Sequence, residues 1–271
     1  DQMKPFVSVI LPARNEAHNI GACVASLASQ TGQGVPVEIC AVDDGSTDAT
    51  GVLLDALAQT LPTLQVTHLR EKPADWTGKP YAMHSATRAA HGRWLLFTDA
   101  DTRWQPGAVE ALLAYAEAHN IDLLTALPRE VLPSLVERIV APTMLLTLFL
   151  VTPPYAVNSL RHKRSALANG QCILLRRDAY DAIGGYAHPA LRSVILDDTT
   201  LALVVKQAGY RLHLAAGQSL LTVQMYPTGR EAWRGWVRNV SASFAAYPRL
   251  MATLLLVALS TLLALPYGLT L

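Results

Sequence analysis

Two aspartates separated by one residue, Asp99 and Asp101, closely follow the apolar run WLLF. An apolar, aromatic run of this kind predicts a buried strand. Residues two apart on an extended strand point the same way, so both carboxylates could reach one hard cation. Mg²⁺ or Mn²⁺ held in this way would complete its shell with substrate phosphates. Taken alone, such a pair is more often an acidic turn after a strand.

Polar side chains follow two earlier apolar runs in the same way. They are Pro12, Asn15 and Glu16 of PARNE after the first run, and Asp43 and Asp44 of DDGSTD after the second. In a parallel sheet the ligand crevice lies beyond the carboxyl ends of the strands, so we expect these groups at one site. The alternative for the second segment is a strand-loop-helix connection in which Ser46 or Asp48 caps the next helix.

The chain alternates strand-like and helix-like segments. Predicted strands span residues 6–12, 37–44, 64–71, 93–101 and 121–129, and predicted helices span 17–29, 48–59, 79–91 and 106–119. Later elements are a strand, a short helix capped by Asp178, a helix from about 199 to 208, and a strand near 220–225. This alternation predicts an α/β fold, a mostly parallel sheet with helices on both faces.

A second carboxylate pair, Asp197 and Asp198, precedes the predicted helix that starts near Thr199. A carboxylate within hydrogen-bond reach of a hydroxyl can take its proton as a new bond forms. The same residue types are typical of a helix N-terminus, where they cap amides and complement the helix dipole. The residues alone leave both interpretations open.

Five segments resemble, in order, family-2 glycosyltransferases with the GT-A fold: VSVILPARNE, VDDGSTD, TGKP, FTDAD and LDDTTLALVVKQAGYRL. The resemblance runs from about Val7 to Arg211. It implies an inverting transfer of a sugar from a nucleotide-sugar, with a UDP-sugar as the expected donor. It also implies Mg²⁺ or Mn²⁺ as cofactor.

The resemblance further implies a role for individual residues. Asp198 is the implied catalytic base, with Asp197 beside it where glutamate is common in the family. Asp99 and Asp101 are the implied metal ligands. For Arg234 and Arg238, the alternative is that they face lipid headgroups. The implied donor-binding residues are Pro12, Asn15, Glu16, Asp43, Asp44, Lys79, Asp99, Asp101, Gln171, Asp197, Arg234 and Arg238.

The expected acceptor is a membrane lipid. ANGQCILLRRDAYDAIGGY and MYPTGREAWRGWVRN resemble the subgroup that glycosylates carotenoids, hopanoids or ceramide-like lipids. Processive polysaccharide synthases carry Q/R-x-x-R-W, whereas Asn239 follows Arg238 here, which argues against processive synthesis. The alternatives are a polyprenyl-phosphate glycosyltransferase or polysaccharide synthase, and a non-catalytic binding module. The intact carboxylates Asp99, Asp101 and Asp198 argue against the last of these.

Late apolar segments predict membrane association. No charged residue occurs from Leu250 to Leu271, which predicts a transmembrane segment that we expect to be truncated. Ile139–Thr152 is uncharged but short, and it is followed by two prolines, so we expect a membrane-interface segment. The basic cluster RHKR, Arg161–Arg164, suits anionic headgroups. The alternative is a buried core helix followed by a solvated loop.

We therefore predict a GT-A catalytic domain over residues 1–228, including a membrane-interface segment at about 134–165. An amphipathic interfacial helix over 229–247, with tryptophans on one face beside an arginine stripe, and a transmembrane segment over 248–271 follow. Arginines just before the span predict a membrane-bound protein whose catalytic domain faces the cytoplasm. The net charge of +1 gives no indication of a nucleic-acid partner.

Overall fold

The computed structural model describes residues 7–30, 34–132 and 134–224, and four isolated positions nearer the C-terminus. The chain divides into two compact units. The first is Asp1–Val131 with Thr152–Gln224, and the second is Leu132–Val151 with Met225–Leu271. The predicted boundaries after residues 228 and 247 lie outside the described residues and stay predictions.

A seven-stranded sheet forms the centre of the first unit. Its strands, in spatial order, are β3 (Leu64–His68), β2 (Val37–Asp43), β1 (Val7–Ala13), β4 (Trp94–Phe97), β8 (Ile173–Arg176), β6 (Leu123–Leu127) and β9 (Leu212–Ala216). Strand β8 runs antiparallel to both neighbours, and the other pairs are parallel. The predicted mostly parallel sheet is therefore confirmed.

Helices cover both faces of this sheet. Those described in the first unit are α1 (Ile20–Ala28), α2 (Thr50–Ala58), α3 (Gly78–Ala89), α4 (Ala108–Ala118), α6 (Pro154–Val157), α7 (Arg177–Ala182) and α8 (Asp197–Gln207). Val9 and Leu11 of β1 share a core cluster with Leu27 of α1 and Leu112 of α4. Ile10 is equally buried but outside that cluster. Because alternate strand residues point to opposite faces, Ile10 lies on the other face, which α3 covers by contacting β1 and β2.

A three-stranded sheet lies next to the carboxylates. Strand β10 (Leu221–Val223) pairs antiparallel with β5 (Thr102–Trp104) and parallel with β7 (Arg129–Glu130). The sequence predicted β10 alone. Strands β5 and β7 have only three and two residues, too few for a periodic pattern to appear.

The prediction that one strand runs through Asp101 is wrong, because β4 ends at Phe97. The Thr102 hydroxyl donates a hydrogen bond to the carbonyl of Asp99 over 2.8 Å. The Thr98 hydroxyl donates to the carbonyl of Gln171 over 3.0 Å. Such side-chain bonds compete with the strand ladder and close a turn at Ala100. The two aspartates therefore sit on a turn between β4 and β5.

Two predicted helix starts are also corrected. Helix α8 begins at Asp197, two residues before the predicted start, so both members of the carboxylate pair lie in its first turn. Helix α7 begins at Arg177, so Asp178 lies inside the helix and is not its N-cap. Its carboxylate instead pairs with Arg176 over 2.6 Å.

The second unit contains α5 (Leu135–Val151) among its described residues. The helix starts with a capping box: the Ser134 amide donates to Glu137 Oε2 over 2.9 Å, and the Glu137 amide donates to Ser134 Oγ over 3.2 Å. Leu146 and Leu150 of α5 are exposed. Within the part of the chain that the structure describes, every helix is too short or too polar to cross a bilayer. The predicted segments 229–247 and 248–271 lie outside it, apart from isolated positions.

Candidate active site

A cleft of about 390 Å³ opens where β1 and β4 end and α3 begins. This is the edge of the sheet at which α/β proteins bind ligands. Six of the predicted donor-binding residues lie in its walls. The lining residues are Pro12, Ala13, Arg14, Glu16, Asp44, Gly78, Lys79, Ala82, Asp99, Ala100 and Asp101.

Asp43 and Asp44 face different surroundings. Asp44 lines the cleft, whereas Asp43 accepts a hydrogen bond from the Ser46 amide over 3.0 Å and lies 3.1 Å from Nδ1 of His68. Asp43 ends β2 and pairs in register with His68 of β3. Burial acts to raise the pKa of Asp43, but the bonds to Ser46 and His68 outweigh it and hold the pKa below its usual value. Its predicted contact with the donor stays a prediction.

Asn15 joins the loops after β1 and β2. Its backbone is left-handed, with φ of 57°. Its side-chain oxygen accepts the amide of Thr47 over 2.8 Å, and its own amide donates to Ser46 Oγ over 3.0 Å. Asn15 therefore positions the loop that carries Arg14 and Glu16, and it does not itself line the cleft.

Gly78, the first residue of α3, lies directly against the Asp44 carboxylate. A Cβ at this position would collide with Asp44 Oδ2, so any other residue here would displace this carboxylate from its place in the cleft. Burial raises the pKa of Asp44, and Arg14, 3.7 Å away, partly opposes this. Arg14 was not among the predicted site residues, although it lies within the PARNE segment.

The two aspartates of the turn differ in their partners. Asp99 Oδ1 lies 2.7 Å from Nζ of Lys79. Burial acts to lower the pKa of Lys79, but Asp99 and then Asp197 outweigh it and raise the pKa. Asp101 Oδ1 is buried with no hydrogen-bond partner among the described residues. Burial, followed by the charges of Asp99 and Glu16, raises the pKa of Asp101 to about 7.

These groups suit a divalent cation that arrives with its substrate. Two carboxylates plus substrate phosphates are a common shell for Mg²⁺, and the partnerless oxygen of Asp101 is an available ligand. Across residues 7–30, 34–132 and 134–224, no group of three or more His, Cys, Asp or Glu side chains is arranged to hold a metal unaided. The residues therefore fit a shared protein-diphosphate site better than a closed protein cage.

Three charged groups converge on Gly170. A Cβ there would lie 3.3 Å from Lys79 Nζ, 3.5 Å from Asp198 Oδ2 and 3.6 Å from Asp99 Oδ2. The Gly170 amide donates to Asp198 Oδ2 over 3.1 Å. The fold thus brings the predicted base, a predicted metal ligand and the TGKP lysine to one point from distant parts of the chain.

Asp198 and Asp197 occupy distinct environments. Asp198 Oδ1 accepts the Thr199 amide over 2.7 Å. Burial, followed by the charge of Asp197, raises the pKa of Asp198 to about 6. Asp197 is buried and accepts a hydrogen bond from the Tyr186 hydroxyl over 3.1 Å. Burial raises the pKa of Asp197 too, and Lys79 opposes this. No sequence pattern pointed to Tyr186.

Gln171 does not line the cleft. It is buried, and its amide donates to Asn169 Oδ1 over 3.0 Å. Its carbonyl accepts the Thr98 hydroxyl, which ties it to the turn that carries Asp99 and Asp101. Its predicted donor contact stays a prediction. Arg234 and Arg238 lie outside the described residues.

Arg192 lies between the segments that carry Lys79 and Asp197, and no sequence pattern pointed to it. Its guanidinium lies over the ring of Trp76 and donates to Asp75 Oδ2 over 3.1 Å. Its carbonyl accepts the Thr77 amide over 2.8 Å. The segment before Lys79 is thereby fastened to the segment that leads into Asp197.

The sheet and the acidic cleft at its edge define a GT-A-like α/β fold. The sequence model of the family described as glycosyl transferase family 2 matches residues 8–184, more than half of the chain. The chain therefore belongs to glycosyl transferase family 2.

The chain is also similar to curated glycosyltransferases. The chain is 26% identical over 254 residues to 4,4'-diaponeurosporenoate glycosyltransferase of Staphylococcus aureus (strain MRSA252), covering 92% of this chain and 65% of that protein. The same name recurs in other strains of that species at 25% identity. The chain thus spans about 65% of the length of the curated relatives it matches.

Solved structures share the fold at lower identity. A mannosyltransferase from Pyrobaculum calidifontis, in complex with GDP-Man and Mn²⁺, matches with a TM-score of 0.63 at 23% identity, over 92% of this chain and 65% of that one. S. aureus TarS 1-349 in complex with UDP-GlcNAc matches with a TM-score of 0.59 at 20% identity, over 84% and 60%. Glucosyl-3-phosphoglycerate synthase of Mycobacterium tuberculosis, with Mn²⁺ and UDP-glucose, matches with a TM-score of 0.54 at 20% identity, over 90% and 79%.

Proposed function

We propose that this protein is a metal-dependent, inverting glycosyltransferase that moves a sugar from a nucleotide-sugar, first of all a UDP-sugar, to a hydroxyl group of a membrane lipid. The observation that carries the proposal is the convergence of Lys79, Asp99 and Asp198 around Gly170, at the edge of a cleft with a partnerless carboxylate. Family membership and nucleotide-sugar complexes of three similar folds support it.

Each group has a task in a single displacement. Asp198 takes the proton of the acceptor hydroxyl as the new bond to the anomeric carbon forms. Its raised pKa, about 6, makes it a better base than an ordinary carboxylate while leaving it ionised near neutral pH. Lys79 places a positive charge beside the departing diphosphate. Mg²⁺ or Mn²⁺ held by Asp99 and Asp101 would supply further charge neutralisation there.

A lipid acceptor is supported from two directions. The relative at 26% identity is named for a carotenoid acid. The described part of the chain also exposes large apolar side chains on α5 and on the segment that follows it, including Leu146, Leu150 and Tyr155. Membrane binding with the catalytic domain on the cytoplasmic side, where nucleotide-sugars are made, remains part of the proposal.

The nearest competing function is transfer to a carboxylate, because the relative's name, diaponeurosporenoate, denotes one. A carboxylate is already ionised at neutral pH and needs no base. A polyprenyl-phosphate acceptor is likewise ionised. Polysaccharide synthesis would be recognised by the much larger size of its product. The chemistry of the acceptor therefore predicts how strongly the reaction depends on Asp198.

The test measures transfer by the detergent-solubilised chain with Mn²⁺, UDP-sugars or GDP-mannose, and lipid alcohols, lipid acids or polyprenyl phosphates. D198N is compared with wild type and with D181N, which alters an exposed carboxylate of α7. For a lipid alcohol we expect D198N to lower kcat by roughly 10²–10⁴-fold with nucleotide binding intact, and D181N to match wild type. Full activity of D198N on an alcohol, or no transfer by wild type to any acceptor, contradicts the proposal.

A further inference from the structure

Helix α6 and the loop that follows it, before β8, together expose apolar, aromatic and basic side chains. We call residues 155–164 the basic loop. Tyr155 is 73% exposed and Leu160 is 46% exposed. The four residues Arg161–Arg164 are all exposed as well. The ring of His162 lies edge-on to that of Tyr155, with centroids 6.1 Å apart, so aromatic and basic groups share one surface.

The base of the basic loop is fixed by a buried lysine. Lys206 of α8 is 1% exposed, and its Nζ donates to the carbonyls of Ala156, Val157 and Ser165 over 2.8, 2.6 and 2.6 Å. An ammonium has three donors, so three carbonyls from both ends of the loop satisfy it.

Asn158 adds a second attachment, since its side chain exchanges two hydrogen bonds with the backbone of Leu214 in β9. Lys206 and Asn158 therefore hold the exposed part of the basic loop in place.

The charges of this loop are not paired with a carboxylate among the described residues. No acidic residue occurs in the sequence between Glu137 and Asp178. Among the described residues, Arg161, Lys163 and Arg164 form no ion pair, whereas Arg176 and Arg192 each pair with an aspartate. Three cations beside exposed apolar side chains match a surface that is anionic at its face and apolar beneath.

We propose that the basic loop docks the protein on an anionic lipid surface, with Arg161, Lys163 and Arg164 on headgroup phosphates and with Tyr155 and Leu160 inserted among the lipids. This rests on the proposed function, since it supplies the contact through which a lipid acceptor is reached. The chain runs from the loop directly through Ser165 to Gly170, which contacts Asp198. A soluble acidic partner would use the charges and leave Tyr155 and Leu160 without a role.

The experiment is co-sedimentation of the full chain with vesicles of phosphatidylcholine, with and without phosphatidylglycerol, at low and high salt. The variant R161Q/K163Q/R164Q is compared with R70Q/R88Q/R93Q, which removes the same charge from exposed arginines elsewhere. At low salt we expect the loop variant to bind phosphatidylglycerol vesicles about 100-fold more weakly, which is roughly fivefold for each of the three charges. The control should bind like wild type, and high salt should shrink the difference.

A second variant, Y155S/L160S, tests insertion and should weaken binding to both kinds of vesicle. Melting temperature and UDP binding of every variant report whether the fold persists. Wild-type binding by the triple loop variant overturns the proposal. So does loop-dependent binding to heparin combined with unchanged vesicle binding by Y155S/L160S, because the loop would then take a soluble polyanion. Sedimentation needs no turnover, so loop-dependent binding without any sugar transfer refutes the proposed function alone.

Discussion

Asp101 is the residue whose surroundings are hardest to explain without a ligand. Its Oδ1 is buried and without a partner among the described residues, and its neighbours include two further carboxylates, Asp99 and Glu16. An unsatisfied buried polar group destabilises a protein, so such a group persists where function requires it. A cation shared with a diphosphate would turn this unfavourable cluster into a favourable one.

Replacing Asp101 should therefore stabilise the metal-free protein. We expect D101N to raise the free energy of unfolding by on the order of 1–3 kcal/mol at pH 8, because it removes a buried negative charge from beside Asp99 and Glu16. The pKa of Asp101 is raised to about 7 from the ordinary aspartate value of 3.8, so its destabilising effect grows between these two pH values and is complete above the higher one. The gain from D101N should therefore decline as pH falls and be small at pH 4, because there the carboxyl is protonated in the folded state and nearly half protonated in the unfolded state. Urea unfolding at both pH values measures it, and an unchanged or lower stability at pH 8 contradicts it.

The pH dependence of turnover should report Asp198. Its pKa is raised to about 6 and the base must be ionised, so kcat for a lipid alcohol should fall about tenfold per pH unit below that value. Above it the rate should be level until another group titrates. The profile of kcat from pH 4.5 to 8 checks this, with D181N as the control. A rate that stays constant through pH 5 would mean that Asp198 is not the base.

The acidic residues of the candidate site were predicted from the sequence, but the directions in which their side chains point were not. Asp43 and Asp44 are consecutive at a strand end, so the twofold repeat of a strand sends them to opposite sides. That rule was available from the sequence. The role of His68 was not, because the partner of Asp43 depends on how β2 and β3 align.

At the scale of elements, Arg177 closes the end of α3. Its guanidinium donates to the carbonyls of Thr87, Ala90 and Gly92 over 3.3, 2.8 and 3.1 Å. The last carbonyls of a helix have no partner within the helix, so this side chain completes them. Helix α3 carries Lys79 at its other end, and its placement therefore affects the site.

The neighbouring arginines Arg176 and Arg177 offer a matched comparison. We expect R177M to lower the free energy of unfolding by about 1–3 kcal/mol, because it leaves three carbonyls short of a partner. R176M removes partly exposed ion pairs with Asp122 and Asp178 and should cost less than about 1 kcal/mol. Denaturant unfolding of the two variants measures both. Equal losses of unfolding free energy would show that the bonds of Arg177 to the end of α3 contribute no more than the ion pairs of Arg176.

The long elements followed from the sequence because their own residues determine them. β1, β2, β3 and β6 and the helices α1 to α4 lie close to their predicted ranges. The reversed direction of β8 and the small sheet of β5, β7 and β10 depend on partners far along the chain. The end of β4 was misplaced because two threonine hydroxyls, Thr98 and Thr102, redirect the backbone.

At the scale of the whole molecule, donor and metal should bind as a unit. The described carboxylates supply too few ligands to hold a cation alone, and a bound diphosphate would supply the rest. We expect UDP with Mn²⁺ to raise the melting temperature more than the sum of the two alone, by about 5 °C or more near 100 times Kd. Thermal unfolding with each ligand and with both measures this, and D101N should reduce the excess. Additive shifts in wild type would contradict it.

Helix α8 carries two features that were described separately. Its first turn holds Asp198, and near its last turn Lys206 fastens the basic loop. Eight residues of helix rise about 12 Å, so the backbone of Asp198 lies about 12 Å from that of Lys206 along the helix axis. A helix of fixed length thus connects the proposed lipid contact to the proposed reaction centre. The distance by which the reactive group of a lipid extends above the bilayer surface, more than the length of its buried tail, would then decide which lipids are glycosylated.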